Sequence, residues 1–338
     1  MTVDALAPAD QLRQMNQTIL PHLLFIAAEL GLADLVRDQA RSSTELAHLI
    51  DGDERALERV LRGLAGFGIF QRDAQGRISL NALSQCLLTD HPSGLRAQIR
   101  FTNHPAMQHG WASIMQTLQD GQPSFQRVYG VTVFDYCQAH PELGERFNSF
   151  MERVFNQGIA AIVAACDLHD VRTVIDVGGG TGSCLIAMLT AAPHVRGVIV
   201  DLPYSRAAAE AALDNAGLSN RCQFVEGSFF EELPAGGDRY VLKHILHDWD
   251  DQRCLTILRQ CRRAMLPGGR VLIMESLFPA GPLPDRGAVI SDLIMLALFG
   301  GQERTRLEYE QLLAAAQLQL VRVIPTATPV SILEARPV

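Results

Sequence analysis

The sequence predicts an α/β protein whose C-terminal half forms a Rossmann-like, doubly wound sheet and whose N-terminal part is a mostly α-helical, winged-helix-like domain. Beyond Val171, short β-branched runs alternate with helical stretches, as in consecutive βαβ units of a parallel sheet. A glycine-rich loop follows the first of these runs. Before residue 90, two short helical patterns are followed by a strand–turn–strand pattern, which is the order of a winged helix.

The length of 338 residues leaves room for two domains, each with a core of its own. We place the N-terminal domain at residues 1–100 and the sheet domain at residues 171–338, joined by a mostly helical segment at residues 101–170. Hydrophobic residues make up 48% of the chain and charged residues 20%, which excludes a wholly disordered or fibrous protein.

In the N-terminal domain, apolar residues at helical spacing predict an amphipathic helix over residues 11–30 with a kink at Pro21. Residues 42–45 have the S-x-x-E form of a capping box, and another helix is predicted to begin near Glu54. The run IFQR-DAQG-RISL, residues 69–80, predicts a strand, a turn and a second strand.

Winged helices often bind DNA, but the charge of this one argues against that role. Residues 41–90 contain six arginines and seven acidic residues, a balance of −1, and the whole chain has 29 basic and 37 acidic residues, or −8. Domains that bind nucleic acid are usually basic. We therefore interpret the region as a packing or dimerisation module, with a winged-helix transcription regulator as an alternative.

The seven cysteines show neither a CxxC pair nor zinc-finger spacing, so no metal is expected. No secretion signal is recognised, and the apolar runs are shorter than the ~20 residues that cross a bilayer. These features predict a cytoplasmic protein without membrane or nucleic-acid partners.

The linking segment contains a predicted long helix from Glu145 to Cys166 with several apolar side chains on one face. Strands of the sheet domain are predicted at TVIDVG, GVIVDL, QFVEG, YVLKHIL and RVLIMES, followed by two closing strands. Helices are predicted at 183–192, 205–216, 251–266, 288–299 and 305–317.

The loop from Asp176 to Gly182 follows a strand and opens a helix, where glycines let the backbone approach a ligand and helix N–H groups face it. Asp201 ends the next strand, where its carboxylate can accept hydrogen bonds from a ribose diol. This spacing also suits NAD, so a nicotinamide-dependent oxidoreductase is a further alternative. Ser183 at the place of a third glycine argues against NAD, as does Asp176 inside the strand.

Six motifs occur in a fixed order: VIDVGGGTG, VIVDLP, EGSFF, LKHILHDWDD, LPGGRVLIMES and GGQERT. With them, the chain resembles class I S-adenosylmethionine-dependent small-molecule O-methyltransferases, which include caffeate, flavonoid and acetylserotonin enzymes and bacterial enzymes of polyketides and phenazines. The resemblance implies S-adenosylmethionine as methyl donor, S-adenosylhomocysteine as product, a homodimer and a small hydroxylated aromatic substrate. It also implies that the N-terminal helix contributes to the partner's acceptor pocket.

The resemblance assigns the glycine loop to the methionine part of the cofactor, the end of the VIVDLP strand to the ribose and the GSFF segment to the adenine. The cofactor residues so implied are Asp176, Gly178, Gly180, Gly182, Asp201, Leu202, Ser228, Phe229, Lys243 and Trp249. Ser228 and Phe229 depart from the Asp-Met pair that the family commonly has, which predicts stacking of adenine on Phe229 and a weaker, neutral partner in Ser228. Trp249 can alternatively be packing at a helix start.

Methyl transfer from a sulfonium needs a nucleophilic oxygen, and a phenol with a pKa of ~10 is mostly protonated at neutral pH. His247 lies just past the end of a predicted parallel strand, at the sheet edge that binds ligands, and histidine suits the role of general base. His244, inside the predicted strand, is the competing candidate.

The family also places two glutamates beside the catalytic histidine, and these match Glu275 and Glu303. A carboxylate can fix the tautomer of the imidazole and stabilise its cation. The alternatives are a solvated strand end for Glu275 and a salt bridge with Arg304 or Arg306 for Glu303.

Acceptor contacts are predicted for Phe147, Met151, Asp248 and Met295, although a methionine on a helix can equally be ordinary core. The Asn-Pro of the plant enzymes is absent before the GGQERT motif, where this chain has Leu-Phe. This favours an apolar, polycyclic acceptor.

Some relatives with this fold bind the same cofactor but act as hydroxylases or decarboxylases, which is the nearest alternative. Retention of the histidine and both glutamates favours the methyltransferase.

Overall fold

The computed structural model describes residues 7–156, 158–281 and 286–338. The chain divides into two compact units, Met1–Gln108 and His109–Val338. The first is mostly helical, and the second contains a seven-stranded sheet.

The first unit is a helical domain with a two-stranded antiparallel hairpin. Its elements are α1 (Pro8–Met15), α2 (Ile19–Glu29), α3 (Leu32–Leu35), α4 (Ser43–Ile50), α5 (Glu54–Gly66), β1 (Gln71–Arg72), β2 (Ile78–Ser79), α6 (Ala82–Gln85) and α7 (Leu95–Thr102).

Local signals account for several of these elements. Ser42 and Glu45 form the predicted capping box: the Glu45 amide donates to Ser42 Oγ at 3.2 Å, and the Ser42 amide donates to the Glu45 carboxylate at 2.7 Å. Asp53 caps α5 through the Ala56 amide at 2.7 Å. The predicted capping box, the helix from Glu54 and the hairpin are confirmed.

The predicted single helix over residues 11–30 is wrong, because α1 ends at Met15 and α2 begins at Ile19. The break precedes Pro21, which lies in the first turn of α2. An N–H in the first turn has no partner within the helix, so proline is tolerated there and causes no kink.

Helix α8 (Pro105–Gly110) leads into the second unit, which begins with short helices. These are α9 (Ile114–Asp120), α10 (Ser124–Tyr129), α11 (Val133–Ala139), α12 (Pro141–Phe150) and, after a π-helical segment at Met151–Phe155, α13 (Ile159–Ala164). The predicted continuous helix from Glu145 to Cys166 is therefore wrong. Gly158, in the left-handed region with a φ of 77°, separates the π-helical segment from α13.

The sheet strands are β3 (Thr173–Val177), β4 (Arg196–Asp201), β5 (Cys222–Glu226), β6 (Gly237–Lys243), β7 (Met265–Ser276), β8 (Leu318–Pro325) and β9 (Val330–Pro337). Their order is β5-β4-β3-β6-β7-β9-β8. The first five pair in parallel, whereas β9 is antiparallel to both β7 and β8. The predicted doubly wound sheet is confirmed, and its two closing strands form an antiparallel hairpin at one edge.

The remaining helical elements follow the strands. They are α14 (Ser183–Ala191), a 3₁₀ turn at Pro203–Ser205, α15 (Arg206–Asn215), a 3₁₀ turn at Leu246–Asp248, α16 (Asp251–Ala264), α17 (Arg286–Ile294), a π-helical segment at Met295–Phe299 and α18 (Arg306–Ala315). Within the described parts of the chain, no helix is long and apolar enough to span a membrane.

The chain leaves β3 toward β4 on one side and later adds β6 on the other, so the strand order reverses at β3. Open α/β sheets bind ligands at the carboxyl ends of the strands where the order reverses. Val177, Asp201 and Lys243 end strands at this edge. The topology therefore brings the predicted site residues to one place.

Candidate active site

The loop after β3 has a backbone path that strongly favours glycine at several positions. Gly178, Gly180 and Gly182 have φ values of 71°, 56° and 78°, in the left-handed region. A β-carbon on Gly178 would lie 2.5 Å from Ile245 Cδ1, and one on Gly182 would overlap Ile199. No atom lies within 4 Å of where a β-carbon of Gly180 would be, so the loop is open at this point.

Asp201, at the end of β4, holds this loop. Its Oδ2 accepts the Gly180 amide and its Oδ1 accepts the Leu202 amide, both at 2.6 Å. Burial raises the pKa of Asp201, and these two backbone hydrogen bonds lower it in part. The carboxylate is thus fixed at the open side of the loop.

Asp176 and Lys243 place opposite charges in the same cavity. Asp176 is buried, and its Oδ2 has no hydrogen-bond partner among the described residues. Burial raises the pKa of Asp176 to about 7 and lowers the pKa of Lys243. The Lys243 amine donates to Asn156 Oδ1 at 3.3 Å. An unsatisfied buried acid and a buried amine fit a ligand that carries both an ammonium and a carboxylate group.

Beside the loop lies a cavity of about 500 Å³ with an aromatic wall. Phe134 stacks on Trp249, with ring centroids 5.3 Å apart, and contacts Phe147 at 5.8 Å and Phe299 at 5.5 Å. Phe230 meets the Trp249 ring edge-on at 4.9 Å. Such a wall suits flat aromatic ligands.

Most predicted site residues lie in the wall of this cavity. They are Asp176, Gly178, Gly180, Asp201, Leu202, Ser228, Phe229, Lys243, Trp249, Phe147, Met151 and Asp248. Five predicted residues are buried but are not part of the wall: Gly182, Met295, His247, Glu275 and Glu303. The structure therefore leaves Met295 in the core.

His247 lies in the 3₁₀ turn after β6 and is surrounded by carboxylates. Its Nδ1 is 3.0 Å from Glu303 Oε1 and 3.6 Å from Glu275 Oε2, and its Nε2 is 3.6 Å from Asp248 Oδ1. Burial lowers the pKa of His247, but the charges of Glu275, Asp248 and Glu303 outweigh it and raise that pKa to about 10. Burial raises the pKa of Asp248 to about 7 against the opposing effect of His247.

Glu275, near the end of β7, holds the turn by its backbone. Its Oε1 accepts the amides of Ile245, Leu246 and His247 at 3.1, 3.0 and 3.4 Å. Although burial raises the pKa of Glu275, the His247 charge, the His244 side chain and the His247 amide lower it below its usual value. The carboxyl group is fully buried, so the alternative of a solvated strand end is wrong.

Glu303 is oriented by α17. Ser291 Oγ donates to Glu303 Oε1 at 2.6 Å, and Asp292 accepts the Glu303 amide at 3.0 Å. The alternative salt bridges are absent among the described residues, since Arg304 pairs with Asp251 and Arg306 with Glu310.

His244 lies one residue past the end of β6, not inside the strand as predicted. It has a φ of 53°, and its Nδ1 is 3.5 Å from Glu275 Oε2. Burial lowers its pKa. The two histidines thus share one carboxylate, and His247 also contacts Glu303 through its Nδ1.

Four residues that build the site were not predicted from the sequence to be part of it: Phe134, Asn156, Ser291 and Arg304. Arg304 lies within GGQERT, so the motif itself was a signal for it. The others have no local signature, because only tertiary packing brings them to the cavity or to Glu303.

Two protein-family models match this chain. An O-methyltransferase domain model matches residues 111–319, and an O-methyltransferase dimerisation domain model matches residues 12–90. A phenazine O-methyltransferase of Lysobacter antibioticus is 41% identical over 321 residues, covering 93% of this chain and 92% of the relative.

A solved structure and a second relative bear on the chemistry. The solved structure is an O-methyltransferase from neocarzinostatin biosynthesis in complex with S-adenosylmethionine and 2-hydroxy-5-methyl naphthoic acid. Its TM-score is 0.87 at 33% identity, over 99% of this chain and 100% of that chain. The aclacinomycin 10-hydroxylase of Streptomyces purpurascens is 33% identical, over 94% of this chain and 87% of its own. By its domains and its relatives, this chain belongs to the S-adenosylmethionine-dependent O-methyltransferase family.

Proposed function

We propose that this chain methylates a hydroxyl group on a planar, polycyclic aromatic metabolite, with His247 as general base. The observation that carries the proposal is the 3.0 Å contact of His247 Nδ1 with Glu303, which leaves Nε2 on the side of Asp248, a residue that lines the cavity. A histidine oriented through one nitrogen accepts a proton on the other.

S-adenosylmethionine is the methyl donor and supplies, when bound, a methyl group on a sulfonium. The unsatisfied Asp176 carboxylate suits its ammonium group, Lys243 its carboxylate and Asp201 its ribose. The adenine is suited by three residues, Ser228, Phe229 and Trp249. The ring centroids of Phe229 and Trp249 are 5.9 Å apart. The complexes of the neocarzinostatin relative with this cofactor and its product support the assignment.

The proton of the acceptor passes to His247 Nε2. The surrounding carboxylates stabilise the imidazolium that forms, which raises the pKa of His247 to about 10. A phenol has a pKa of ~10, so donor and acceptor are matched for proton transfer. Glu303 orients the imidazole, and Glu275 orients the turn that carries it.

The acceptor is planar and largely apolar, because Phe134 and Phe147 line the cavity with their ring centroids 5.8 Å apart, and Phe299 packs against Phe134. Met151 adds an adaptable side chain to the same wall. The names of the relatives, a phenazine and a naphthoic acid enzyme among them, point to the same chemistry.

The enzyme is a homodimer in the cytoplasm. Residues 1–100 supply the dimer interface, residues 101–170 the acceptor side of the pocket and residues 171–338 the cofactor site. The match of a dimerisation domain to residues 12–90 supports the first of these assignments.

The test is to incubate the protein with S-adenosylmethionine and a panel of hydroxylated phenazines and naphthoates, with mass spectrometry of both products. We expect a product one methylene heavier together with S-adenosylhomocysteine. One relative is named as a hydroxylase, so hydroxylation is the alternative reaction to test. A product one oxygen heavier without S-adenosylhomocysteine would establish that rival instead.

A further inference from the structure

Arg304 is almost completely buried, at 1% exposure, and donates hydrogen bonds around the turn that carries His247. Its Nη1 donates to the Leu246 carbonyl at 2.8 Å, and its Nη2 donates to the Trp249 carbonyl at 2.8 Å and to Asp251 at 2.7 Å. A buried guanidinium is costly unless its donors are satisfied, so this site is specifically built.

We propose that Arg304 is a positioning residue for catalysis that holds the His247 turn against Glu303. The turn spans Leu246–Asp248, and Arg304 binds carbonyls on both sides of His247. Glu275 binds the amides of the same turn. A buried cation and a buried anion therefore fix the turn through its opposite backbone groups.

The link to the imidazole is short. Glu303 precedes Arg304 and contacts His247 Nδ1 at 3.0 Å, while the Gln302 amide donates to the His247 carbonyl at 2.9 Å. Gln302 thus binds the carbonyl of His247, and Glu303 binds its side chain. Arg304 binds the neighbouring carbonyls of Leu246 and Trp249. A shift of Arg304 displaces Glu303 from Nδ1, and hydrogen bonds weaken steeply with distance and angle. The inference rests on the proposed role of His247.

Arginine is required because its planar fork reaches three acceptors at once, whereas a lysine ammonium is a single point on a flexible stem. The test variant is Arg304→Lys. Asp251→Asn is a milder variant that removes the charge from one of the three acceptors; the Asp251 side chain is 63% exposed. The matched control is Arg306→Lys, in the same segment, whose side chain is 65% exposed and pairs with Glu310.

In Arg304→Lys, we expect kcat to fall at least about tenfold, with the Kd of S-adenosylhomocysteine within about threefold of wild type. Asp251→Asn has a smaller effect in the same direction, and Arg306→Lys has none. Nuclear magnetic resonance of labelled histidine in the cofactor-free protein then gives the pKa of His247. It is lower in Arg304→Lys, because the Glu303 carboxylate that raises it is displaced.

A double-mutant cycle with Glu303→Gln separates positioning from general stability. If Arg304 acts through Glu303, the double variant has the kcat of Glu303→Gln alone within about threefold. Additive losses with an unchanged His247 pKa would overturn the inference. Should Arg304→Lys not fold, the same cycle is run with Asp251→Asn and decides in the same way. If His247→Ala keeps its turnover, the proposed function fails and this inference with it.

Discussion

At the scale of single residues, the site depends on which nitrogen of one histidine is occupied. Glu303 holds Nδ1 of His247, and Nε2, the proposed proton acceptor, lies 3.6 Å from Asp248 Oδ1. His244 lies three residues earlier in the chain, in the cavity wall, with its Nδ1 3.5 Å from Glu275 Oε2. Under the proposed assignment, the contact of His247 with Glu303, and not the residue type, distinguishes the base.

His247→Ala should lose turnover by about 10²–10⁴-fold, the usual contribution of a general base. Its affinity for S-adenosylhomocysteine, measured by calorimetry, should stay within about threefold, since the proposed cofactor contacts are made by other residues. The control is His244→Asn, because asparagine tolerates a φ of 53°. Loss of turnover in the control with retention in His247→Ala would assign the base to His244.

The pH dependence follows from the same residue. Because nearby carboxylates raise the pKa of His247 to about 10, the neutral imidazole is the minor form at pH 7 and becomes more abundant as pH rises. We expect kcat/KM to increase from pH 7 to about 9 in steady-state assays. In Glu303→Gln the rise in kcat/KM should move to lower pH, because the variant lacks one of the carboxylate charges that raise the pKa of His247. A profile that falls over this range would contradict the assignment.

At the scale of elements, the loop before α18 docks on the 3₁₀ turn, and a glycine makes this approach possible. A β-carbon on Gly301 would overlap the backbone of His247, Asp248 and Trp249. Thr305 then starts α18 with a capping box that includes Glu308. The second glycine of GGQERT is thus explained by a backbone contact that carries no chemistry itself.

Gly301→Ala should lower the free energy of unfolding by at least about 2 kcal/mol, because the added carbon must displace backbone that has no room to move. Denaturant unfolding measures the change. Gly66→Ala is the control, since nothing lies within 4 Å of its β-carbon and it sits in α5. That variant should be unchanged or slightly more stable. An unaffected Gly301→Ala would show that the loop can retreat from the turn.

At the scale of the whole molecule, the N-terminal helices belong to the proposed dimer interface. Leu12 and Met15 in α1 are 68% and 75% exposed, and Ile19 at the start of α2 is 50% exposed. Exposed apolar residues on one helix mark a surface for a partner, and the dimerisation domain match covers this stretch.

Leu12→Asp combined with Met15→Asp should convert the dimer to a monomer, because charges at these positions would be buried in the interface. Light scattering measures the mass, and S-adenosylhomocysteine affinity should be retained within about threefold, since the cavity lies in the second unit. Gln14→Asp, also exposed, is the control. A double variant that stays dimeric would place the interface elsewhere.

Individual helices, strands and loops were predicted from residues that are close together in the sequence. The capping box at Ser42, the glycine loop and the strands of the sheet depend on residues close in sequence, and these predictions are confirmed. The predictions of two long helices were wrong because only a few residues break each helix. The first break lies between Met15 and Ile19, and the second lies at Gly158, whose φ is in the left-handed region. Hydrophobic periodicity extends across such breaks and cannot reveal them.

By itself, the sequence determined the order of the elements, the family and the residue types present at the sheet edge, because each is encoded in short contiguous motifs. Only the tertiary structure decided that Arg304 pairs with Asp251 and leaves Glu303 to His247, that Met295 stays in the core and that Phe134 joins the cavity wall. These outcomes depend on distances between segments far apart in the chain. Burial then sets which charges pair, since an unpaired charge inside the protein is too costly to keep.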